Sequence, residues 1–446
     1  MASVPFPYFP IKFDKHAKVI APGDSDLRKF LHDAGNQPTD LIVIAHGWNN
    51  NMAEAGDLYA ELLTNADQII KEGKPPGLAA RKFAVLGVLW PSKKFDDSEL
   101  IPGNAAGVGG SLDVKILSKQ LDAMKGGFDS GKEDETLEAM KSLLPKLKNS
   151  DTACEDFVKL ARSLVKADLA DAGDEANRFF SDPPLKIFKK LAKPVSFVQP
   201  APADGTSGAA AGLGGSALGI GDYFSGVQSA ARNVLNLTTY YQMKERAGNI
   251  GSTALNPMLR TLVQQNPQLR IHLVGHSFGG RLVTATAAGA GDSTVLHARS
   301  MSLLQAAFSH YGFAKNWDKK NHDGFFRRVV EQHAIAGPIV ITHTTSDKAV
   351  GMAYPLASLL AGQNAAALGD KNSDYGGIGR NGAQKTPESI DANLRLPGAA
   401  YNFTAGKLHN LNALNSDGNL IQNHGDVRNR NVAYALLSAI AAASLT

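Results

Sequence analysis

Four short apolar runs constrain this chain more than anything else in it. They are Leu41-Ile42-Val43-Ile44-Ala45, Phe83-Ala84-Val85-Leu86-Gly87-Val88-Leu89, Ile271-His272-Leu273-Val274 and Ile339-Val340-Ile341-Thr342, each bounded by turn chemistry. Near-continuous apolar character means that both faces of a strand are covered, as in parallel sheets. A fifth run, Ser302-Leu303-Leu304-Gln305-Ala306-Ala307-Phe308, is a weaker strand signal. Helical spacing lies between runs, for example Leu259, Leu262 and Val263 ahead of the third. The alternation predicts an α/β fold with an open, mostly parallel central sheet flanked by helices.

Between residues 96 and 225 the strand signals stop. Leu137, Met140, Leu143, Leu144 and Leu147 recur at three and four residues, and so do Phe157, Leu160, Ala161, Leu164 and Val165. Thr152-x-x-Glu155 reads as a capping box ahead of the second stripe. The expectation is a sheet-bearing core formed by residues 1–95 and 226–446, interrupted by an inserted helical cap over 96–225. Pro183-Pro184 and the Gly/Ala-rich stretch from Ala201 to Gly221 punctuate its end, the latter as a candidate hinge. The stripes must cover something, and a lid that builds an apolar acyl pocket is one way to cover them.

Composition narrows the function classes. Lys and Arg number 46 against 42 Asp and Glu, a net charge of +4 spread along 446 residues. Without basic clusters interleaved with aromatics, a nucleic-acid partner is not expected. The single cysteine, Cys154, rules out an internal disulfide and a Cys-rich metal site. The first residues lack a basic stretch followed by an apolar one, so the expected location is cytoplasmic, with signal-independent export left open. No run of about 18 strongly apolar residues predicts a stable membrane span.

The chemistry centres on Gly275-His276-Ser277-Phe278-Gly279. A chain with 44 glycines yields about 0.3 such G-x-S-x-G matches by chance, so the pattern alone is weak. Its context is stronger, because an apolar strand leads in and a small-residue stretch, Leu282 to Ala288, leads out. So tight a strand-to-helix turn demands glycine two positions either side and exposes the hydroxyl of Ser277. The competing reading is a glycine-rich turn with an incidental serine. A serine hydroxyl needs a base within reach and donors aimed at the oxyanion it creates. Upstream, the first run ends in His46-Gly47-Trp48, where Gly47 allows close backbone approach. The N–H groups of Trp48 and Phe278 are the candidate donors, with His46 shaping the loop and not exchanging protons.

These motifs resemble the α/β-hydrolase superfamily, on its serine esterase and lipase side. The resemblance covers roughly 280 residues, about 35–95 and 226–446. It implies the order oxyanion loop, serine, acid, histidine. Asp347, after the run ending at Thr342, matches the acid. His424, in Asn423-His424-Gly425-Asp426 ahead of Val432-Ala433-Tyr434-Ala435-Leu436-Leu437, matches the histidine. The insertion precedes the serine strand, whereas many members carry their cap after it. The resemblance implies hydrolysis of a small-molecule or lipid ester through an acyl-enzyme, with no cofactor and no metal. Amide or thioester hydrolysis by the same triad, and a binding protein on the same fold, are the alternatives.

Other residues compete for the same roles. Asp374 and Asp426 are alternative acids, though neither follows an apolar run directly, and Asp426 reads as a group that orients or caps its helix. His409 is the other late histidine, and His272, on a strand, reads as packed. Gly212-x-Gly214 lacks the preceding strand of a dinucleotide site. His310, His322, His333 and His343 match no zinc-ligand spacing.

Overall fold

The computed structural model describes residues 3–20, 23–33, 35–48, 52–92, 111–165, 176–192, 226–318, 320–347 and 376–443. Its centre is a nine-stranded sheet made of β1 (Tyr8–Phe13), β2 (Val19–Ile20), β3 (Asp40–Ala45), β4 (Phe83–Leu89), β5 (Arg270–His276), β6 (Ser300–Leu304), β7 (Ile339–His343), β8 (Ser389–Asn393) and β9 (Leu408–Asn412). The order across the sheet is β2-β1-β4-β3-β5-β6-β7-β9-β8. Every pairing is parallel except that of β1 with β2. The protein is therefore an α/β molecule with a mostly parallel sheet flanked by helices.

All residues of β3 and β4 are buried, which explains their unbroken apolar sequence. Alternation along the strands divides the faces. Ile42, Ile44, Val85, Val274, Leu304 and Val340 share one core with the helices Met52–Lys71 and Arg430–Ala442. The helix Phe278–Ala288, which emerges from β5, packs against a π-helical turn, Ile250–Leu255. Gly251 makes that approach possible, since a Cβ there would strike the Leu282 carbonyl.

Two expectations need correction, and four strands had no expectation at all. The fifth run forms a strand over Ser300–Leu304, and the chain turns away at Gln305, whose φ of 45° no strand tolerates. The helix Asp151–Ser163 is capped by Ser150, whose hydroxyl accepts from the Ala153 N–H at 3.1 Å, so Thr152 lies inside the helix and is not its cap. Strands β1, β2, β8 and β9 had no apolar run to announce them.

The chain divides into two compact units, Met1–Lys94 with Tyr241–Tyr354 and Gly369–Thr446, and Phe95–Tyr240 with Pro355–Leu368. The first holds the sheet. The described residues of the second are helical, with helices Ser111–Ala123, Glu133–Leu143, Asp151–Ser163, Ala176–Ser181 and Pro184–Leu191. Its stripes pack within the unit: Leu137, Met140, Phe157, Ala161, Ile187, Phe188 and Leu191 are all buried, and Phe157 meets Phe188 edge to face at 6.4 Å. The Ala201–Gly221 stretch, with Gly212 and Gly214, lies outside the described residues, as does Asp374.

Candidate active site

A parallel sheet delivers the carboxyl ends of its strands to one edge. Register makes this concrete: Ala45 lies beside Gly275, and His276 beside Leu304, which in turn neighbours Thr342. The segments after β3, β5, β6 and β7 therefore leave from adjoining positions.

Ser277 sits at the turn from β5 into the helix Phe278–Ala288 with φ 56° and ψ −125°, a conformation that L-residues rarely hold. Backbone bonds fix it there. Its N–H donates to the Leu304 carbonyl at 3.1 Å, and its own carbonyl accepts from Gly280 and Ala307, both at 2.9 Å. The glycines make room for the turn. A Cβ on Gly279 would strike the Ala45 carbonyl, one on Gly275 would strike Gly279, and one on Gly280 would lie 2.5 Å from the Ala306 Cβ.

The loop after β3 runs hard against the serine. A Cβ on Gly47 would lie 2.6 Å from the Ser277 Cβ and 3.1 Å from its Oγ. Trp48 meets Phe278 edge to face at 5.8 Å, so the two candidate donor residues adjoin. His46 is buried, with Nδ1–H donating to the Gly47 carbonyl at 2.9 Å and Nε2 accepting from the Trp90 N–H at 3.2 Å. The Trp90 indole stacks on it and donates to the His46 carbonyl at 2.9 Å. Burial pushes the His46 imidazole down to about 4, and its hydrogen bond to Gly47 only partly opposes this. It is a neutral strut for the loop.

Asp347 follows β7 and is fully buried. His424 donates from Nδ1 to its Oδ2 at 2.8 Å. That bond fixes the neutral imidazole as the Nδ1–H tautomer and leaves Nε2 as an acceptor. The loop carrying His424 is moored by Asn65, which donates to the Arg428 carbonyl at 2.7 Å, and by the Arg430–Glu72 ion pair at 2.7 Å. Asp426 serves the same loop, accepting from the Gln422 N–H at 2.9 Å, while Asn429 caps the final helix.

His276 joins the two halves. Its Nε2–H donates to the His424 carbonyl at 2.8 Å, and the two rings lie 4.8 Å apart. Burial first, and then the charge of His424, push His276 down to about 3. Among the described residues no hydrogen bond links Ser277 Oγ to His424.

The other histidines lie elsewhere. His272 bonds Asp40 at 2.9 Å and Ser300 at 2.8 Å, and His409, on β9, accepts from the Thr404 N–H at 3.0 Å. His310 is buried beside Asn381, and His322 pairs with Asp318. Among the described residues no three His, Cys, Asp or Glu side chains could together hold a metal ion, and no helix is long and apolar enough to cross a membrane.

Sequence reasoning missed Gln305. Its Nε2 donates to Asp347 Oδ2 at 3.2 Å, beside the His424 bond. The available signal was a lone amide at the carboxyl end of a buried parallel strand, on the edge where the other groups gather. In comparisons with known proteins, the chain matches no family model, no curated protein and no solved structure.

Proposed function

We propose that this chain is a serine hydrolase of carboxylic esters built on an α/β-hydrolase core. The observation that carries the reading is a backbone-strained serine in one loop cluster with a carboxylate-bound histidine. Ser277 holds φ 56° between glycines, and His424, bonded to Asp347 at 2.8 Å, touches the residue before it.

In this mechanism Ser277 Oγ attacks the acyl carbon while His424 Nε2 takes its proton. The bond from serine oxygen to acyl carbon forms, and the carbon–alkoxide bond breaks as the imidazolium protonates the departing alkoxide. Water, deprotonated by the same nitrogen, then releases the acid and restores the serine. Asp347 holds the imidazole tautomer throughout. The N–H groups of Trp48 and Phe278 are the oxyanion donors we assign, on the strength of the Gly47–Ser277 approach. The Ser277–His424 hydrogen bond must close when substrate binds, as such bonds do in many hydrolases.

A fluorophosphonate probe tests the reading. Covalent labelling at Ser277, with loss of ester hydrolysis in Ser277→Ala, is the expected result, whereas labelling of a different serine overturns it. A panel of esters, amides and thioesters then ranks the acyl-transfer chemistries. Chain length is read in the same assay. A lid over residues 96–225 requires efficiency to rise from acetyl toward octanoyl esters, at about 0.8 kcal/mol per buried methylene, and a steady fall with length removes it.

A further inference from the structure

We propose that Gln305 is a positioning residue for the acid of this site, a role that rests on the serine-hydrolase reading above. A carboxylate can only accept, so the Gln305 group facing Asp347 is its NH2. The bond, at 3.2 Å, lands on Oδ2, the oxygen that also accepts from His424 Nδ1–H at 2.8 Å. Two donors on one oxygen fix the carboxylate plane and spread its charge.

The backbone is arranged to deliver that amide. Gln305 is fully buried and sits at φ 45°, outside the region its side chain favours. Its N–H donates to Thr342 Oγ1 at 3.1 Å, which ties the end of β6 to β7. The turn around Gly379 straps the two loops together. Its N–H donates to the Ala306 carbonyl at 3.0 Å, and its carbonyl accepts from Thr344 N–H at 3.1 Å. Any Cβ on Gly379 would collide with the Gln305 backbone. Arg380, next in the turn, donates to the Asp347 carbonyl at 3.2 Å.

The far end of the side chain argues against a role in packing alone. Gln305 Oε1 is buried with no hydrogen-bond partner among the described residues. An orphaned buried acceptor is destabilising, and an apolar side chain of equal length avoids it. The NH2 on Asp347 is therefore the polar contact that accounts for an amide here.

The test is the rate at which a fluorophosphonate labels Ser277, measured across pH. In that reaction Ser277 Oγ bonds to phosphorus, fluoride leaves, and His424 takes the proton. Charged and titratable groups near the acid and histidine are His276, Arg380, Asp426 and Arg428, and all stay unchanged in the variants. In Gln305→Met the labelling rate should fall about tenfold. Its acid limb should move up by about half a pH unit, because a carboxylate with one donor fewer holds the imidazolium more tightly. Gln305→Glu, which sets a second carboxylate against Asp347, should move the limb further in the same direction, and it carries the test if Gln305→Met does not fold. A merely structural role lowers the labelled fraction and leaves the midpoint alone. Wild-type rate and midpoint in the variants overturn the role of Gln305 while labelled Ser277 stands. A wild-type protein that is not labelled at Ser277 overturns the serine-hydrolase reading and this proposal together.

Discussion

The sheet carries a Ser-His-Asp array at each end of its strands, and only one of them has the makings of an active site. At the amino ends, His272 bonds Ser300 Oγ at 2.8 Å and Asp40 Oδ1 at 2.9 Å. At the carboxyl ends, His424 bonds Asp347 at 2.8 Å with Ser277 nearby. In hydrogen-bond lengths the first array is the more complete. It is also sealed: Ser300, His272 and Asp40 are each at most 1% exposed, and Asp40 is further bound by Arg81, by Arg270 at 3.0 Å and by Thr39 at 2.5 Å. Burial alone would raise the Asp40 carboxyl, but hydrogen bonds from Arg81, His272 and Thr39 hold it far below the usual carboxylate range. Ser300 lies within a regular strand, whereas Ser277 is strained and its histidine side chain is 23% exposed. A hydrogen-bonded chain of the right residue types is thus common architecture. Ser277 is itself only 4% exposed, short of the exposed hydroxyl that its turn predicts. Backbone strain at the serine and exposure of the histidine, not access to the serine, therefore separate the proposed site from the structural knot.

The sharpest way to break this contrast is to remove each serine. Ser277→Ala should lower ester hydrolysis at least about 10³-fold, equivalent to about 4 kcal/mol, with the melting temperature nearly unchanged. Peptide mapping after fluorophosphonate treatment should find no adduct at Ser300, and an adduct there would erase the distinction. At the amino ends the effect should be on stability. Asp40→Asn leaves the largely covered Arg81 guanidinium and the partly exposed Arg270 without their counter-charge and should destabilise by about 3–5 kcal/mol in denaturant melts. A loss below about 1 kcal/mol would show that the knot is dispensable.

Gly47→Ala sharpens the comparison at the carboxyl ends. The added methyl meets Ser277 and must displace the loop that carries Trp48, so kcat should fall about 10²-fold. Wild-type kcat in this variant would contradict the assignment of that loop to the oxyanion. The last contrast is in pH dependence. Folding lowers the imidazoles of His46 to about 4 and His276 to about 3, and burial lowers His272 and His409 as well. The unfolded chain therefore binds more protons below about pH 6.5. Stability is complete above that value and declines as pH falls toward 4, by at most about 1.4 kcal/mol per pH unit for each histidine. Asp40 does not add to the slope there, since its contribution is lost only at more acid pH. Equal melting temperatures at pH 7 and pH 4.5 would refute the neutral state of these histidines.

Much of this was legible in the residues, for identifiable reasons. Strands β3, β4, β5 and β7 are covered on both faces, so each spells an apolar run. Strand β9 is just as buried but reads Leu-His-Asn-Leu-Asn, because its polar side chains are used internally: Asn410 accepts from the Ala383 N–H at 2.8 Å and donates to Asp391 at 2.9 Å. Strand β8 lies at the edge with Ile390 40% exposed, and β1 carries Pro10 and Lys12, so neither shows the pattern of a covered strand. Ser277, Asp347 and His424 could be picked out because each follows or precedes a readable element. Gln305 was harder to find, since its one signal, an amide at the end of an apolar run, does not name the carboxylate it will face after the chain has turned.

The crowding around the elbow bears on how such a protein can be altered. Gly275, Gly279 and Gly280 each occupy a place where a single methyl group meets backbone or a neighbouring Cβ, so these positions have no neighbouring sequences to explore. If Ser277 is the nucleophile we propose, a laboratory library or a diverging lineage must keep its platform invariant and take up new substrates through the residues around it. Trp48 and Phe278 are the first such residues, because they contact each other through side chains and can be resized as a pair. On the proposed reading, chemistry and specificity would fall to different kinds of position, the first to sites that lack atoms and the second to sites that carry them.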